Sequence, residues 1–159
     1  MLKTKKELKH KHEEEPLRKK QIRSKKRVKD LGEVFTNERE VNAMLDLIPN
    51  ITIEMTFLEP SCGNGNFLTE ILRRKLNLIS QNDDKLTAIL KCYSSIYGID
   101  IMHDNVEETK QRLLDMLPMR ELEQEVKALL DKQIIVGDFL KMYGYEETKK
   151  KNNNKNNLK

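Results

Sequence analysis

The sequence predicts an α/β fold in which three short parallel strands alternate with helices. Apolar segments rich in β-branched residues occur at 51–58, 96–99 and 133–136. Between these segments the apolar residues recur at the spacing of a helix. Strands that are separated by helices join through right-handed crossovers, which place the strands side by side in a parallel sheet. With 159 residues, the chain has room for one such domain.

The same apolar periodicity predicts the positions of the helices. The first is capped by Thr36 or Asn37 and stops at Pro49, and a second follows a glycine-containing loop at residues 63–65. Pro118 separates the last two predicted helices. The apolar positions of the helices are Val41, Met44, Leu45 and Ile48; Phe67, Leu68, Ile71, Leu72, Leu76 and Ile79; Leu86, Ile89 and Leu90; Val106, Leu113, Leu114 and Leu117; Leu122, Val126, Leu129 and Leu130.

Charge divides the chain into three parts. Residues 1–29 carry 13 Lys or Arg and four Glu, and residues 149–159 carry five Lys and no acid. Since the whole chain has a net charge of +4, residues 30–148 have a net charge of −10. We therefore expect a basic arm without fixed structure over 1–29, a domain over 30–145 and a low-complexity Lys/Asn tail over 146–159. The basic ends either contact nucleic-acid phosphates or are simply solvated.

Several protein classes are excluded at this point. No apolar run reaches the roughly 18 to 20 residues of a membrane span, and the Lys-rich N-terminus lacks the apolar segment of a signal peptide, so a cytoplasmic protein is expected. Cys62 and Cys92 have neither the spacing of a zinc site nor a disulfide framework. The three histidines at 10, 12 and 103 form no evident catalytic or metal-binding group, and we expect no metal.

The loop Gly63-Asn64-Gly65 lies between a predicted strand and a predicted helix, where glycines let the backbone approach a ligand closely. A phosphate-binding loop has Lys and Ser or Thr after its last glycine, and Asn66-Phe67 stands there instead. Leu68 occupies the position of the third small residue of a dinucleotide fingerprint, which disfavours a nucleotide-dependent oxidoreductase. Glu59 would also repel phosphate, but it suits a ligand with an ammonium or sulfonium group.

Acidic residues follow the predicted strands at the edge where such sheets bind ligands. Asp100 either accepts both hydroxyls of a ribose or caps the following helix. Asp83 and Asp84 are nearer the usual distance of about 20 residues from the loop, but they lie in a polar loop, so Asp100 is preferred. Asp138 either caps the next turn or accepts a hydrogen bond from an exocyclic amine, with Phe139 stacked on the ring.

Four segments together resemble a known family. They are Gly-Glu-Val-Phe-Thr at 32–36, Phe-Leu-Glu-Pro-Ser-Cys-Gly-Asn-Gly-Asn-Phe-Leu at 57–68, Ile-Tyr-Gly-Ile-Asp-Ile at 96–101 and Ile-Ile-Val-Gly-Asp-Phe-Leu at 134–140. In this order they are similar to motifs of the S-adenosylmethionine-dependent, adenine-specific DNA methyltransferases of restriction-modification systems. The second motif is the specific one, and the resemblance covers residues 32 to about 140.

The resemblance implies a Rossmann-like methyltransferase fold, of which this chain has an incomplete parallel sheet with flanking helices. It implies S-adenosylmethionine as cofactor, DNA as partner and cofactor-binding roles for residues of all four motifs. By motif, these are Phe35 and Thr36 against the cofactor; Glu59, Pro60, Ser61, Cys62, Gly63, Asn64 and Gly65 at its methionine part; Asp100 and Ile101 at its ribose; and Asp138 and Phe139 at its adenine.

The family's catalytic motif is absent from this sequence. That motif is Asp, Asn or Ser followed by Pro-Pro and Tyr or Phe, and it holds a flipped adenine. The four prolines, at 16, 49, 60 and 118, are never adjacent, so no catalytic residue is predicted. The chain is interpreted as the cofactor-binding front part of such an enzyme, from a truncated or frameshifted reading frame. The alternatives are a non-catalytic S-adenosylmethionine-binding subunit, whose second chain supplies catalysis and target recognition, and an inactive relic.

Overall fold

The computed structural model describes residues 21–144. Most of the predicted basic arm and the predicted tail therefore lie outside the described residues. The elements are α1 Lys25–Leu31, α2 Glu38–Leu45, β1 Phe57–Glu59, α3 Asn66–Leu76, α4 Lys85–Ser94, β2 Ile96–Asp100, α5 His103–Asp115, a 3₁₀ turn Arg120–Leu122, α6 Glu123–Gln133, β3 Ile134–Val136 and α7 Phe139–Met142. None of the described helices is long and apolar enough to cross a membrane.

The three strands form one parallel sheet in the order β1-β2-β3. Glu59 at the end of β1 lies beside Gly98, and Asp100 at the end of β2 lies beside Val136. Helices α3, α5 and α6 all pack against β2. The predicted α/β class with a parallel sheet and flanking helices is confirmed, and the carboxyl ends of the strands share one edge as expected.

Strand β1 is much shorter than the segment 51–58 that was predicted to form it. Its partner β2 begins at Ile96, opposite Phe57, so the residues before Phe57 have no neighbouring strand to pair with. The carbonyl of Met55 instead accepts a hydrogen bond from the Lys75 ammonium group at 2.5 Å. The β-branched composition was therefore a correct signal for the strand but not for its length.

The part of the arm that the structure describes, residues 21–29, is folded. Ser24 caps α1 by accepting a hydrogen bond from the backbone N–H of Arg27, and Gly32 ends the helix with a left-handed conformation, φ +67°. Arg27 bonds to the Asp104 carboxylate on α5 at 2.6 Å, and Arg23 is ion-paired with Glu108. The boundary expected at residue 29 thus falls inside a helix that docks on the domain.

The core lies between the sheet and the four longer helices. Its fully buried side chains include Leu68 and Leu72 on α3, Tyr93 on α4 and Leu113 on α5. The hydroxyl of Tyr93 donates to the carbonyl of Leu113 at 3.0 Å, which satisfies its polar end inside the core. At roughly 25 cal/mol per Å² of buried apolar surface, packing of this kind is the main stabilising contribution to the domain.

Lys75 is a fully buried cation near the amino ends of the strands. Its ammonium group donates to the Met55 carbonyl and to the Ser95 hydroxyl, and it lies 5.6 Å from the centre of the Phe57 ring. Burial lowers the pKa of Lys75 below its ordinary value, and the charges of Cys92 and Glu54 partly oppose this. Lys75 therefore joins three segments at the cost of a desolvated charge.

The lowered pKa of the buried Lys75 predicts how the stability of the chain changes with pH. The folded chain gives up the Lys75 proton at lower pH than the unfolded chain, so wild type should gain stability relative to Lys75→Met as pH rises toward 10.5. The gain should be about 1.4 kcal/mol for each unit by which the pKa is lowered. Urea unfolding between pH 7 and pH 10.5 measures it, with the exposed Lys91→Met as control.

The comparison between variants matters because the buried Cys92 and Tyr93 also titrate at alkaline pH, with raised pKa values. Tyr93 is common to wild type and both variants, whereas Cys92 interacts with the Lys75 charge, so the difference in unfolding free energy reports the lysine together with its coupling to Cys92. A difference between wild type and Lys75→Met that stays constant with pH would contradict the assignment.

Candidate functional site

A cavity of about 200 Å³ lies at the carboxyl edge of the sheet. Its walls are the segment that joins α1 to α2, the glycine loop between β1 and α3, and the end of β2. Nine of the predicted site residues line it: Phe35, Thr36, Glu59, Ser61, Cys62, Gly63, Asn64, Asp100 and Ile101.

Four predicted residues do not line this cavity. Pro60 and Gly65 belong to the same loop and shape its backbone, whereas Asp138 and Phe139 follow β3. The Asp138 carboxylate caps α7 by accepting a hydrogen bond from the backbone N–H of Lys141, and this bond lowers its pKa. The Phe139 ring packs 4.6 Å from the ring of Tyr143. The capping alternative for Asp138 is thus present, and an adenine contact stays a prediction.

The two loop glycines are required by both backbone conformation and space. Gly63 has φ +53° and Gly65 has φ +83°, which are left-handed conformations that favour glycine. A Cβ on Gly63 would lie 3.0 Å from the Phe35 ring, and one on Gly65 would lie 2.8 Å from the Thr109 side chain. The glycines therefore let the loop fit between the 32–36 segment and helix α5.

Side chains of helix α5 hold the glycine loop by donating hydrogen bonds to the backbone carbonyls of the loop. The Thr109 hydroxyl donates to the carbonyl of Gly63 at 3.0 Å. The Arg112 guanidinium donates at 2.5 Å to the carbonyl of Asn64 and at 2.8 Å to the Asn66 side-chain oxygen. With its carbonyls fixed in this way, the loop has a defined shape before any ligand arrives.

Asp100 fixes the opposite side of the loop and is only 7% exposed. Its Oδ2 accepts the backbone N–H of Gly63 at 2.9 Å. Its Oδ1 accepts the backbone N–H of Met102 at 2.8 Å and the Asn105 amide at 3.2 Å. Neither predicted alternative describes this arrangement fully, because Asp100 ties β2 to the loop and to the start of α5 while still lining the cavity.

Burial shifts the pKa values of two residues that line the cavity, Glu59 and Cys62. Burial raises the pKa of Glu59, and a hydrogen bond from the backbone of Ser61 partly opposes this. No cation pairs with Glu59 within residues 21–144. Burial, with the nearby Asp100 charge, raises the pKa of the Cys62 thiol to about 12, so this thiol is a neutral wall group rather than a nucleophile.

The 32–36 wall of the cavity also contains a charged residue, Glu33, that was not among the predicted site residues. Glu33 lines the cavity, and its Oε2 accepts hydrogen bonds from Arg27 at 2.6 Å and from the Asn105 amide at 3.0 Å. The Arg27 guanidinium also holds the pKa of Asp104 below its ordinary value. Glu33 stands inside the first segment of the resemblance, 32–36, which was the only available signal for it, whereas Arg27 and Asn105 carried none.

The other acidic alternatives lie elsewhere. Asp83 accepts the backbone N–H of Ser80, and Asp84 accepts the hydroxyl of Thr87 at the start of α4, so both serve local turns away from the cavity. Residues 21–144 also hold no group of three or more His, Cys, Asp or Glu side chains arranged to bind a metal ion.

Comparison with known proteins gives two relatives of one kind. The chain is 31% identical over 98 residues to the Type II methyltransferase M.VspI of Vibrio sp. (strain 343), which covers 61% of this chain and 20% of that protein. It is 29% identical over 114 residues to the Type II methyltransferase M.PaeR7I of Pseudomonas aeruginosa, which covers 69% of this chain and 20% of that protein.

These similarities confirm the resemblance to restriction-modification methyltransferases that the four motifs indicated. The matched stretches amount to about a fifth of the length of these relatives. No model of a known protein family matches the chain. No solved structure matches it either.

The surroundings of Gly32, at the end of α1, and of Gly65, in the glycine loop, predict that alanine at the two positions lowers the free energy of unfolding by different amounts. Gly32→Ala places a Cβ in open space at φ +67°, so it should cost only the penalty of a left-handed conformation, about 1 kcal/mol. Gly65→Ala adds a collision with Thr109 and should cost about 1 to 3 kcal/mol more. Urea unfolding of the two variants measures the difference. Equal destabilisation would mean that Thr109 does not set the loop position.

Proposed function

We propose that this chain forms the S-adenosylmethionine-binding part of an adenine-specific DNA methyltransferase of a restriction-modification system. The observation that carries the proposal is the shared cavity, whose walls are the glycine loop with Glu59, the end of β2 with Asp100, and the segment with Phe35 and Thr36. Three of the four motifs of the resemblance contribute to it. The relatives' names supply the reaction class, methyl transfer, and a cytoplasmic location belongs to the same proposal.

The residues present fit this cofactor. The loop presents a bare backbone to the cavity at Gly63, where a side chain would collide with the Phe35 ring. Glu59 is a partly buried acid without a cation partner among the described residues, which suits the ammonium group of a methionine moiety. Asp100 presents an oxygen with spare acceptor capacity at the end of β2, which suits a ribose hydroxyl.

The size of the cavity favours a division of the cofactor between two places. Sites that bind ligands about as large as S-adenosylmethionine usually measure about 300 to 1,000 Å³, whereas this cavity measures roughly 200 Å³. We therefore place the methionine and ribose parts in the cavity, with Ile101 at the ribose. The adenine ring extends toward the end of β3, where Asp138 and Phe139 follow the strand.

The mechanism assigned to these residues is binding and orientation. Bound S-adenosylmethionine supplies an electrophilic methyl group on a sulfonium. Glu59 would hold the ammonium group of the cofactor and Asp100 its ribose, and the loop that Thr109 and Arg112 hold would set its depth. Cys62 is neutral and buried, so it does not compete for the methyl group.

The acceptor side of the reaction has no candidate residue in this sequence. The amino nitrogen of adenine is a poor nucleophile, and it must be positioned in line and polarised by acceptors. The Pro-Pro motif that would do this is absent from the 159 residues. We propose that the acceptor is held by polypeptide beyond these residues, either on the same enzyme or on a second chain that makes this one a non-catalytic subunit.

The proposed contact between Asp100 and the ribose predicts how replacement of this acid changes ligand binding. Asp100→Asn should weaken binding of S-adenosylhomocysteine by about 1.5 to 3 kcal/mol, because a charged acceptor is lost at the ribose. Isothermal titration calorimetry measures this, and circular dichroism checks the fold. Asp83→Ala, which alters an acid outside the cavity, is the control and should bind as wild type. If both variants bind equally, Asp100 serves only to hold the loop.

The absence of an acceptor site predicts the outcome of an activity assay. The 159 residues alone should transfer no tritiated methyl group from S-adenosylmethionine to adenine-rich DNA, whether duplex or single-stranded. Loss of positioning and of charge stabilisation each cost several kcal/mol, and about 1.4 kcal/mol is a tenfold loss of rate. Label that appears only after lysate from the source cells is added would favour a second chain. Label incorporated by the purified chain alone would contradict the account.

A further inference from the structure

Among the described residues that line the cavity, Glu33 has a buried side-chain atom with no hydrogen-bond partner. Its side chain is only 10% exposed, and its Oε1 atom is buried with no hydrogen-bond partner among residues 21–144. A buried carboxylate oxygen without a donor costs free energy, and native proteins leave few such atoms. Since Glu33 also lines the cavity, the missing donor can be supplied by a bound ligand.

The other oxygen of Glu33 is fully engaged, which fixes the orientation of the carboxylate. Oε2 accepts hydrogen bonds from two nitrogens of Arg27, at 2.6 and 3.0 Å, and from the amide of Asn105 at 3.0 Å. The same Asn105 nitrogen lies 3.2 Å from Oδ1 of Asp100. One amide nitrogen therefore joins the two carboxylates, so Glu33 and Asp100 are immediate neighbours.

Asp100 can accept a further hydrogen bond on its Oδ2 atom, which is not the oxygen that accepts from Asn105. Its Oδ1 already accepts two hydrogen bonds, whereas within the described part of the chain its Oδ2 accepts one, from the backbone N–H of Gly63. A carboxylate can accept about four hydrogen bonds. The pair of neighbouring acids thus offers two open acceptor positions, one on Oδ2 of Asp100 and one on Oε1 of Glu33.

The charges around Glu33 indicate what kind of donor it accepts. Arg27 is ion-paired with Glu33 at 2.6 Å, so the negative charge at this position is already compensated. Glu59 has no such partner among the described side chains and is the better site for a cation. A compensated acceptor favours a neutral donor, and the two open acceptors on adjacent acids equal in number the two vicinal hydroxyls of a ribose.

We propose that Glu33 is a specificity-determining residue of the cofactor site, which accepts one hydroxyl of the ribose while Asp100 accepts the other. The proposal rests on the function proposed above and extends the ribose site from one acid to two. Arg27 and Asn105 act as positioning residues, because they hold the Glu33 carboxylate through its other oxygen.

A cycle of protein and ligand changes tests the contact directly. The full chain and its Glu33→Gln variant are titrated calorimetrically with S-adenosylhomocysteine and with its 2′-deoxy and 3′-deoxy forms. For the parent ligand, Glu33→Gln should weaken binding at least about tenfold. For the deoxy form that lacks the hydroxyl of Glu33, wild type and variant should bind alike, because the interaction is already lost.

Glu108→Gln is the matched control, since it removes an acid that pairs with Arg23 in the same cluster but does not line the cavity. It should bind all three ligands as wild type does. The proposal is overturned if Glu33→Gln binds the parent ligand as wild type does, or if it weakens all three ligands by the same factor, which is the result of an indirect structural effect.

Two further outcomes are decisive without a folded variant. Wild type that binds the parent ligand and both deoxy forms equally well has no ribose contact, which overturns the proposal while leaving cofactor binding intact. Wild type that binds none of the three ligands overturns the proposed function, and the ribose assignment fails with it.

Discussion

The buried carboxylate of Asp100 is the interaction on which the site depends. A carboxylate at 7% exposure is stable only when donors surround it, and here they are the backbone of Gly63, the backbone of Met102 and the amide of Asn105. These donors come from the glycine loop and from the start of α5. The end of β2 therefore fixes both neighbours, and the cavity keeps its shape because a displacement of either segment would leave the buried carboxylate without its donors.

Helix α5 extends this constraint across the whole cavity. Its inner face holds the glycine loop through Thr109 and Arg112, and its first turn holds α1 through the ion pair of Asp104 with Arg27. One helix thus aligns two walls that come from separate segments of the chain, 32–36 and the glycine loop at 63–65. Arg23 and Arg27, part of the basic excess of the predicted arm, are occupied in these contacts, which removes them from the cations available to nucleic acid.

The sequence predicted the features that depend on local patterns. Glycine spacing and acids after strands pointed to Glu59, the Gly63-Asn64-Gly65 loop and Asp100, and the family resemblance implied the other predicted residues that line the cavity, Phe35, Thr36, Ser61, Cys62 and Ile101. It could not predict the length of β1, which depends on where β2 begins, or the docking of α1, since Arg27 meets Asp104 across 77 positions. Glu33 was missed for the same reason, because its importance comes from partners on α1 and α5.

The central claim is that a ligand of the S-adenosylmethionine type binds where the 32–36 segment, the glycine loop and the end of β2 meet. Hydrogen–deuterium exchange of the full chain, with and without S-adenosylhomocysteine, tests it most directly. The account predicts slower exchange in residues 32–36, 59–65 and 99–102, with little change in α4 and α6. Protection confined to α4 and α6, or no protection anywhere at saturating ligand, would contradict it.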